Sequence, residues 1–70
     1  MLKLKPACET CGKALPPEST DAVICSFECT FCDECATNTH KGACPNCAGN
    51  FERRPIRPAA ALEKFPPATE

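Results

Sequence analysis

The chain lacks tryptophan and tyrosine altogether and has one histidine and one methionine. Four phenylalanines are its only large aromatic groups, and much of its 43% apolar content is alanine and cysteine. Ordering a backbone costs roughly 1–2 kcal/mol per residue, and a chain of 70 residues rarely buries enough apolar surface to offset that unaided. The shortage excludes a fold held by apolar burial alone, and the length allows one domain at most. A single histidine leaves little material for catalysis. The acids Glu9, Glu18, Asp21, Glu28, Asp33 and Glu34 form no pattern of nucleophile and general base, so no enzymatic activity is expected. No apolar run is long enough to span a membrane, and the opening MLKLKPACET lacks the apolar stretch of a signal peptide. A cytoplasmic, reducing setting is the expectation.

What the chain has instead is cysteine. Eight in 70 residues is above the level that marks a cross-linked or metal-bound scaffold. Close Cys-x-x-Cys pairs make poor structural disulfides because they close almost no loop, whereas both sulfurs of such a pair can reach one ion. The spacing is C8-x2-C11-x13-C25-x3-C29-x2-C32-x2-C35-x8-C44-x2-C47. Eight thiolates make two closed tetrahedral sites with none left over, the arrangement Zn²⁺ favours, so two Zn²⁺ ions are the expected cofactors. Each such site carries −2, so two of them take the formal net charge from −1 to −5.

Along the chain, Leu2 and Leu4 alternate with Lys3 and Lys5, which predicts a short half-buried strand over 1–7, stopped by Pro6. CETCGK reads as a zinc knuckle, with Gly12 supplying a backbone conformation other residues resist. KALPPEST (13–20) is a loop stiffened by Pro16 and Pro17, and DAVIC (21–25), with its β-branched Val23–Ile24, is a short strand. DECATNTHKG predicts two helical turns over 33–40, with Asp33 as an N-cap or first-turn acid and Gly42 as the stop. CPNCAGN is a second knuckle and NFERR (50–54) a closing strand. From Pro55 the composition shifts to PIRPAAALEKFPPATE, four of whose residues are proline. The division is a double-zinc domain over 1–54 and a Pro/Ala-rich tail over 55–70. Within the tail, AAALEKF makes one or two helical turns ended by Pro66–Pro67, and Ile56, Leu62 and Phe65 pack back on the domain or hang loose.

Grouping the ligands is harder. Four consecutive pairs are 8/11, 25/29, 32/35 and 44/47. A sequential scheme joins the first two pairs and then the last two. A cross-braced scheme joins the first with the third and the second with the fourth. The crowding of CSFECTFCDEC (25–35) favours the cross-brace, because one tight segment then lies between two metals with Phe27 and Phe31 filling the gap. Cys29 and Cys32 are themselves a Cys-x-x-Cys, however, and pairing them leaves Cys25 and Cys35 as single ligands, so the alternatives stay open. His40, between Cys35 and Cys44, is expected as a solvent-facing helix residue.

Over residues 8–47 these spacings resemble the RING finger, with Cys29 at the position often held by histidine. Phe31 before Cys32, the helix after Cys35 and Pro45 inside the last pair fit the same pattern. The resemblance implies a small zinc-stabilised α+β fold with two knuckles, a short β-hairpin and one short helix. It implies one site of Cys8, Cys11, Cys32 and Cys35 and a second of Cys25, Cys29, Cys44 and Cys47. Over its whole length, including the RRPIRPAA tail, the chain also resembles a small bacterial family known only as a domain of unknown function, which carries a fold suggestion and no activity.

Ubiquitin-ligase activity, the commonest use of RING fingers, fits poorly: Glu9 follows the first cysteine where such ligases usually carry an apolar residue, Ala48 follows the last where many carry a basic one, and no tryptophan is present. The expected function is a structural double-zinc module that binds protein as an adaptor. Lys3, Lys5, Lys13, Lys41, Arg53, Arg54 and Arg57 form either a solvated basic face or a docking patch for an acidic partner, with Arg53, Arg54 and Arg57 as the candidate partner-binding residues. Two alternatives are a nucleic-acid-binding zinc protein, which the acidic charge opposes, and a thiol-redox switch that releases zinc on oxidation.

Overall fold

The computed structural model describes residues 2–69. At its centre is a three-stranded antiparallel sheet of order β2–β1–β3. The β-branched DAVIC segment provides β1 (Ala22–Ile24), and the chain turns back through Cys25–Cys29 into β2 (Thr30–Cys32). The register pairs Ala22 with Cys32, Val23 with Phe31 and Ile24 with Thr30. The loop of this hairpin is itself a cysteine pair, closed by the Cys25 N–H donating to the Cys29 carbonyl at 3.2 Å. The closing strand expected after the second knuckle is β3 (Glu52–Arg53), paired to the other edge of β1 with Val23 opposite Arg53 and Ile24 opposite Glu52.

After β2 the chain is helical over 33–39, and Cys35–Thr39 forms a π turn, wider than the α-helix expected there. The His40 N–H reaches back five residues to the Cys35 carbonyl at 2.9 Å, and the Gly42 N–H reaches the Ala36 carbonyl at 2.8 Å. Gly42 stops the turn as anticipated, at φ 81°, in the left-handed region that glycine adopts without a Cβ penalty. Asp33 opens the helical run, the first-turn place expected of it, and does not cap it; Glu34 flanks the π turn, with no side-chain capping bond. The Asp33 N–H is taken instead by the Asp21 carbonyl at 2.7 Å. The turn closes His40 onto Phe31, ring centroids 5.0 Å apart and edge to face, and Phe51 meets Phe31 in the same way at 5.3 Å.

The strand expected over 1–7 does not form; Met1 lies outside the described residues. The Lys3 N–H goes to the Glu28 carboxylate at 2.9 Å, the Lys5 N–H to the Lys3 carbonyl at 3.1 Å, and Pro6 has no N–H to offer. Only Ala7 pairs, as an isolated bridge to Ala14. The alternation survives as burial: Leu4 is buried, Leu2 half-buried and Lys3 exposed.

The tail carries the helix read from AAALEKF, as α1 (Ala59–Lys64), with no buried residue. It is tied to the N-terminal segment: the Ala68 N–H donates to the Leu4 carbonyl at 3.0 Å, and the Arg57 guanidinium donates to the carbonyls of Leu2 at 2.8 Å and Phe65 at 2.6 Å. Ile56 and Phe65 nonetheless stay about half exposed. Among the described residues no helix is long and apolar enough to cross a membrane.

The core is built largely of sulfur. Of the buried apolar residues, Cys8, Cys25, Cys32, Cys35 and Cys44 stand beside Leu4, Leu15, Ala22, Phe31 and Ala36. The largest fully buried side chain is a cation, Arg54.

Candidate metal centres

Four short turns deliver the cysteines. In CETC the backbone N–H groups of Thr10 and Cys11 point at the Cys8 sulfur at 3.4 and 3.5 Å, and Gly12 (φ 79°) closes the turn by donating to the Cys8 carbonyl at 3.0 Å. The later turns repeat the device. The Phe27 N–H donates to Cys25 Sγ at 3.3 Å, Cys35 N–H to Cys32 Sγ at 3.4 Å and Asn46 N–H to Cys44 Sγ at 3.4 Å. The first cysteine of each pair is therefore buried and held by main-chain donors. Glu28 and Ala48 close the second and fourth turns in the left-handed region at φ 66° and 65°; no glycine marks either position, so the sequence carried no signal for them.

These turns bring the sulfurs of Cys8, Cys11, Cys32 and Cys35 within 4.8 Å of one another, and likewise those of Cys25, Cys44 and Cys47. Sulfurs at 2.3 Å from a tetrahedral zinc lie about 3.8 Å apart, and Cys11 and Cys32, 21 residues apart in sequence, have theirs at 3.8 Å. The first cluster thus lies close to the spacing a tetrahedral thiophilic ion requires. Cys29 does not reach the mutual distance of the second trio. It accepts a bond from Asn46 Nδ2 at 3.4 Å, a partner that reading the CPNC motif for its cysteines alone misses.

The electrostatics of the clusters also suit a cation. Burial pushes the Cys8 thiol up, but the N–H groups of Cys11, Cys32 and Thr10 outweigh it and bring it down to about 6. Cys25 comes down to about 7, burial being outweighed by the N–H groups of Phe27 and Cys29. The others go up. The neighbouring Cys32 sulfur, then burial, then Cys11 and Cys8 push Cys35 up to about 12, and burial followed by the sulfurs of Cys11 and Cys8 raises Cys32. The Asn46 bond pulls Cys29 down, but burial and the sulfurs of Cys25 and Cys44 more than offset it. At Cys47 the Gly49 N–H is likewise outweighed by burial and by Cys25 and Cys44. Each cluster thus readily holds one negative charge, and further thiolates need a cation among them.

Other candidate residues fall differently from expectation. Phe31 is buried between His40 and Phe51, but Phe27, expected to fill the gap between sites, is 75% exposed. Its N–H is turned in towards Cys25 Sγ and its side chain stands at the tip of the knuckle. His40 is not a solvent-facing helix residue: it is half-buried on Phe31, and its Nε2 lies 2.6 Å from Thr10 Oγ1. Of the arginines read as a docking patch, Arg53 is exposed and Arg57 half-buried. Arg54 leaves that patch altogether, at 1% exposure. Its guanidinium donates to the carbonyls of Lys5 (2.9 Å), Leu15 (3.1 Å) and Pro16 (2.9 Å), tying the N-terminal segment and the proline loop to the sheet. Even Glu9, though exposed, is committed, its carboxylate accepting from Thr30 N–H at 2.6 Å and Lys5 Nζ at 3.0 Å.

Residues 1–57 match a family described as "Protein of unknown function (DUF1272)". The chain belongs to that family. It is 56% identical over 69 residues to the uncharacterized protein R02474 of Rhizobium meliloti (strain 1021), an alignment covering 99% of this chain and 82% of the relative. No solved structure matches the chain. This chain is a small α+β domain with two cysteine clusters positioned to hold metal; the family description and the relative's name carry no activity.

Proposed function

We propose that the protein is a structural double-zinc module of RING-like, cross-braced form that acts by binding other proteins, without catalysis. The observation that carries this reading is the convergence of Cys8 and Cys11 with Cys32 and Cys35 while Cys25 lies with Cys44 and Cys47, so that the pairs alternate between centres. Zn²⁺ fits the all-thiolate donor set, and when bound it cross-links segments distant in sequence and neutralises the crowded sulfurs. Eight thiolates in two four-coordinate sites leave no open position for substrate. Function then belongs to the surface: the proline loop, the knuckle tips, the open edge of the sheet and α1.

Native mass spectrometry of protein purified without chelator or added metal tests the reading. Two zincs per chain are expected. Cys11→Ser and Cys35→Ser are expected to lose the same zinc, and Cys29→Ser the other. If Cys11→Ser and Cys29→Ser empty one shared site, the sequential grouping is right and the cross-brace is wrong.

The exposure of Phe27 favours a second reading, single-stranded nucleic acid stacking on the knuckle tip. The negative charge of the loaded sites opposes it, and binding that weakens steeply with rising salt is the result that would support it.

A further inference from the structure

The two edges of the sheet are treated differently. On β2 the first knuckle covers the edge: the Glu9 N–H donates to the Thr30 carbonyl at 3.0 Å, and the Thr30 N–H goes to the Glu9 carboxylate at 2.6 Å. On β3 the described residues provide no such cover. The Arg54 N–H donates to the Ala22 carbonyl at 2.9 Å, which makes 22/54 a bonded pair. Bonding alternates along an antiparallel ladder, so the N–H and C=O of Arg53, and by the same alternation those of Phe51, point away from β1. Among the described residues nothing bonds them there. Beside this edge lies an open cleft of about 330 Å³, lined among others by Val23, Asp33, Ala36, Thr37, Phe51 and Arg53. Val23, Phe51 and Arg53 share one face of the sheet, because Val23 is opposite Arg53 and alternate residues of a strand face the same way.

We propose that the β3 edge is a docking site for an extended segment of a partner protein, added antiparallel as a fourth strand. This rests on the protein-binding reading above and names the surface and the partner chemistry. Main-chain bonds to Phe51 and Arg53 supply the attachment, and side-chain pairs set the choice of segment. The partner residue opposite Arg53 is acidic, the next, opposite Glu52, is basic, and the next, opposite Phe51, is apolar and enters the cleft. Neither Glu52 nor Arg53 has an ion-pair partner among the described residues, and Glu52 accepts only a long bond from Asn50 Nδ2 at 3.4 Å, so both charges remain unneutralised and able to select. The same charges reject a second copy of this chain. Pairing Phe51 of one copy with Arg53 of another sets the two Glu52 carboxylates directly opposite each other, and pairing Arg53 with Arg53 opposes two guanidinium groups. Like charges in that position are destabilising.

The test is a ¹⁵N NMR titration of the zinc-loaded full chain with two end-blocked peptides, Thr-Thr-Glu-Lys-Val-Thr-Thr and its charge-reversed partner Thr-Thr-Lys-Glu-Val-Thr-Thr. The first is expected to shift the amides of Phe51, Glu52, Arg53, Ala36 and Thr37 and to bind about fivefold tighter than the second. Two variants sharpen it, each checked for two zincs by native mass spectrometry. Glu52→Lys is expected to lose or invert the preference. Arg53→Pro removes an outward N–H without touching the bonds to β1 and is expected to abolish the shifts. Shifts centred elsewhere, equal affinity for both peptides, no shift at millimolar peptide, or dimerisation of the free protein through 51–53 would each overturn the proposal while leaving the double-zinc module standing. A zinc count other than two would instead remove the reading on which it rests.

Discussion

The two cysteine clusters differ in how completely the polypeptide assembles them. In the first, four sulfurs converge within 4.8 Å, drawn from a knuckle and from the junction of β2 with the π turn. In the second, three converge that closely, while Cys29 lies beside Cys25 and Cys44 without reaching the mutual distance and accepts a bond from Asn46. The sequence difference is one residue: 25/29 is spaced by three residues where the other pairs are spaced by two. The extra residue goes into the hairpin turn, where Glu28 takes φ 66°, and the second sulfur emerges at the base of β2. Burial follows the same division. Cys8, Cys32 and Cys35 of the first cluster are buried with only Cys11 exposed, whereas Cys29 and Cys47 of the second are both half-exposed. A pre-assembled cluster beside the sheet and a looser one at the periphery predict unequal grip on their ions.

The largest effect expected is from removing both metals. A structural zinc site contributes about 10–16 kcal/mol to folding, far more than this core supplies, so a strong chelator is expected to collapse amide dispersion in an NMR spectrum. Acid acts in the same direction, because the ligands must be deprotonated to bind. A folded metal-free chain would show that the clusters are accessories to the fold.

Next in size is Arg54→Met. It leaves the carbonyls of Lys5, Leu15 and Pro16 without their donor, and the predicted cost is about 3–5 kcal/mol, at roughly 1–3 kcal/mol for each buried unsatisfied group. Thermal melting with zinc retained measures it. A change below about 1 kcal/mol would mean that the clusters alone hold the N-terminal segment and the proline loop.

The comparison of clusters is tested directly by Asn46→Ala, which removes the side-chain donor to Cys29 and is expected to weaken the second site by about 10–100-fold. In a chelator titration followed by native mass spectrometry, the one-zinc species is expected to appear at lower chelator in the variant, with Cys29 and Cys47 alkylated before Cys8 and Cys32. The opposite order would assign the tighter grip to the peripheral site.

The smallest effect belongs to the exposed Lys13–Asp21 pair. Bonds from Lys13 and then Ser19 hold the Asp21 carboxyl down to about 2. A depressed carboxyl stabilises the fold above its ordinary pKa, and that contribution is lost as pH falls towards 2. Metal loss at acid pH precedes this, so the check is Asp21→Asn at neutral pH, where only a slight drop in melting temperature is expected.

Much of the candidate site was legible in the residues, because ligand spacing is a local property. CETC, CPNC and the crowding of 25–35 announce turns that aim N–H groups at sulfur, and Gly12 and Gly42 occupy the left-handed positions that glycine favours. The strands of DAVIC and NFERR and the helix of AAALEKF were legible for the same reason, as short runs of consistent propensity. Three features were not. The Leu/Lys alternation at 2–5 describes burial correctly but says nothing about a partner strand, and none is available. Phe27 and Phe31 look alike in sequence, yet one sits at a knuckle tip and the other in a strand. Arg54 belongs to an RR pair, and only the register of β3 sends it inward and its neighbour Arg53 outward.

The sequence by itself pointed to metal: eight thiols, little apolar surface and no large aromatic core make cysteine ligation the expected source of stability. It also limited the ligand pairs to a few schemes, because spacing restricts which sulfurs share a turn. Tertiary structure alone decided which pairs meet, which sheet edge is covered and which remains open, and that a buried arginine joins the N-terminal segment and the proline loop to the sheet. Those outcomes depend on contacts between residues 20 to 50 positions apart, and no local pattern of residue types encodes the direction in which such distant groups approach one another.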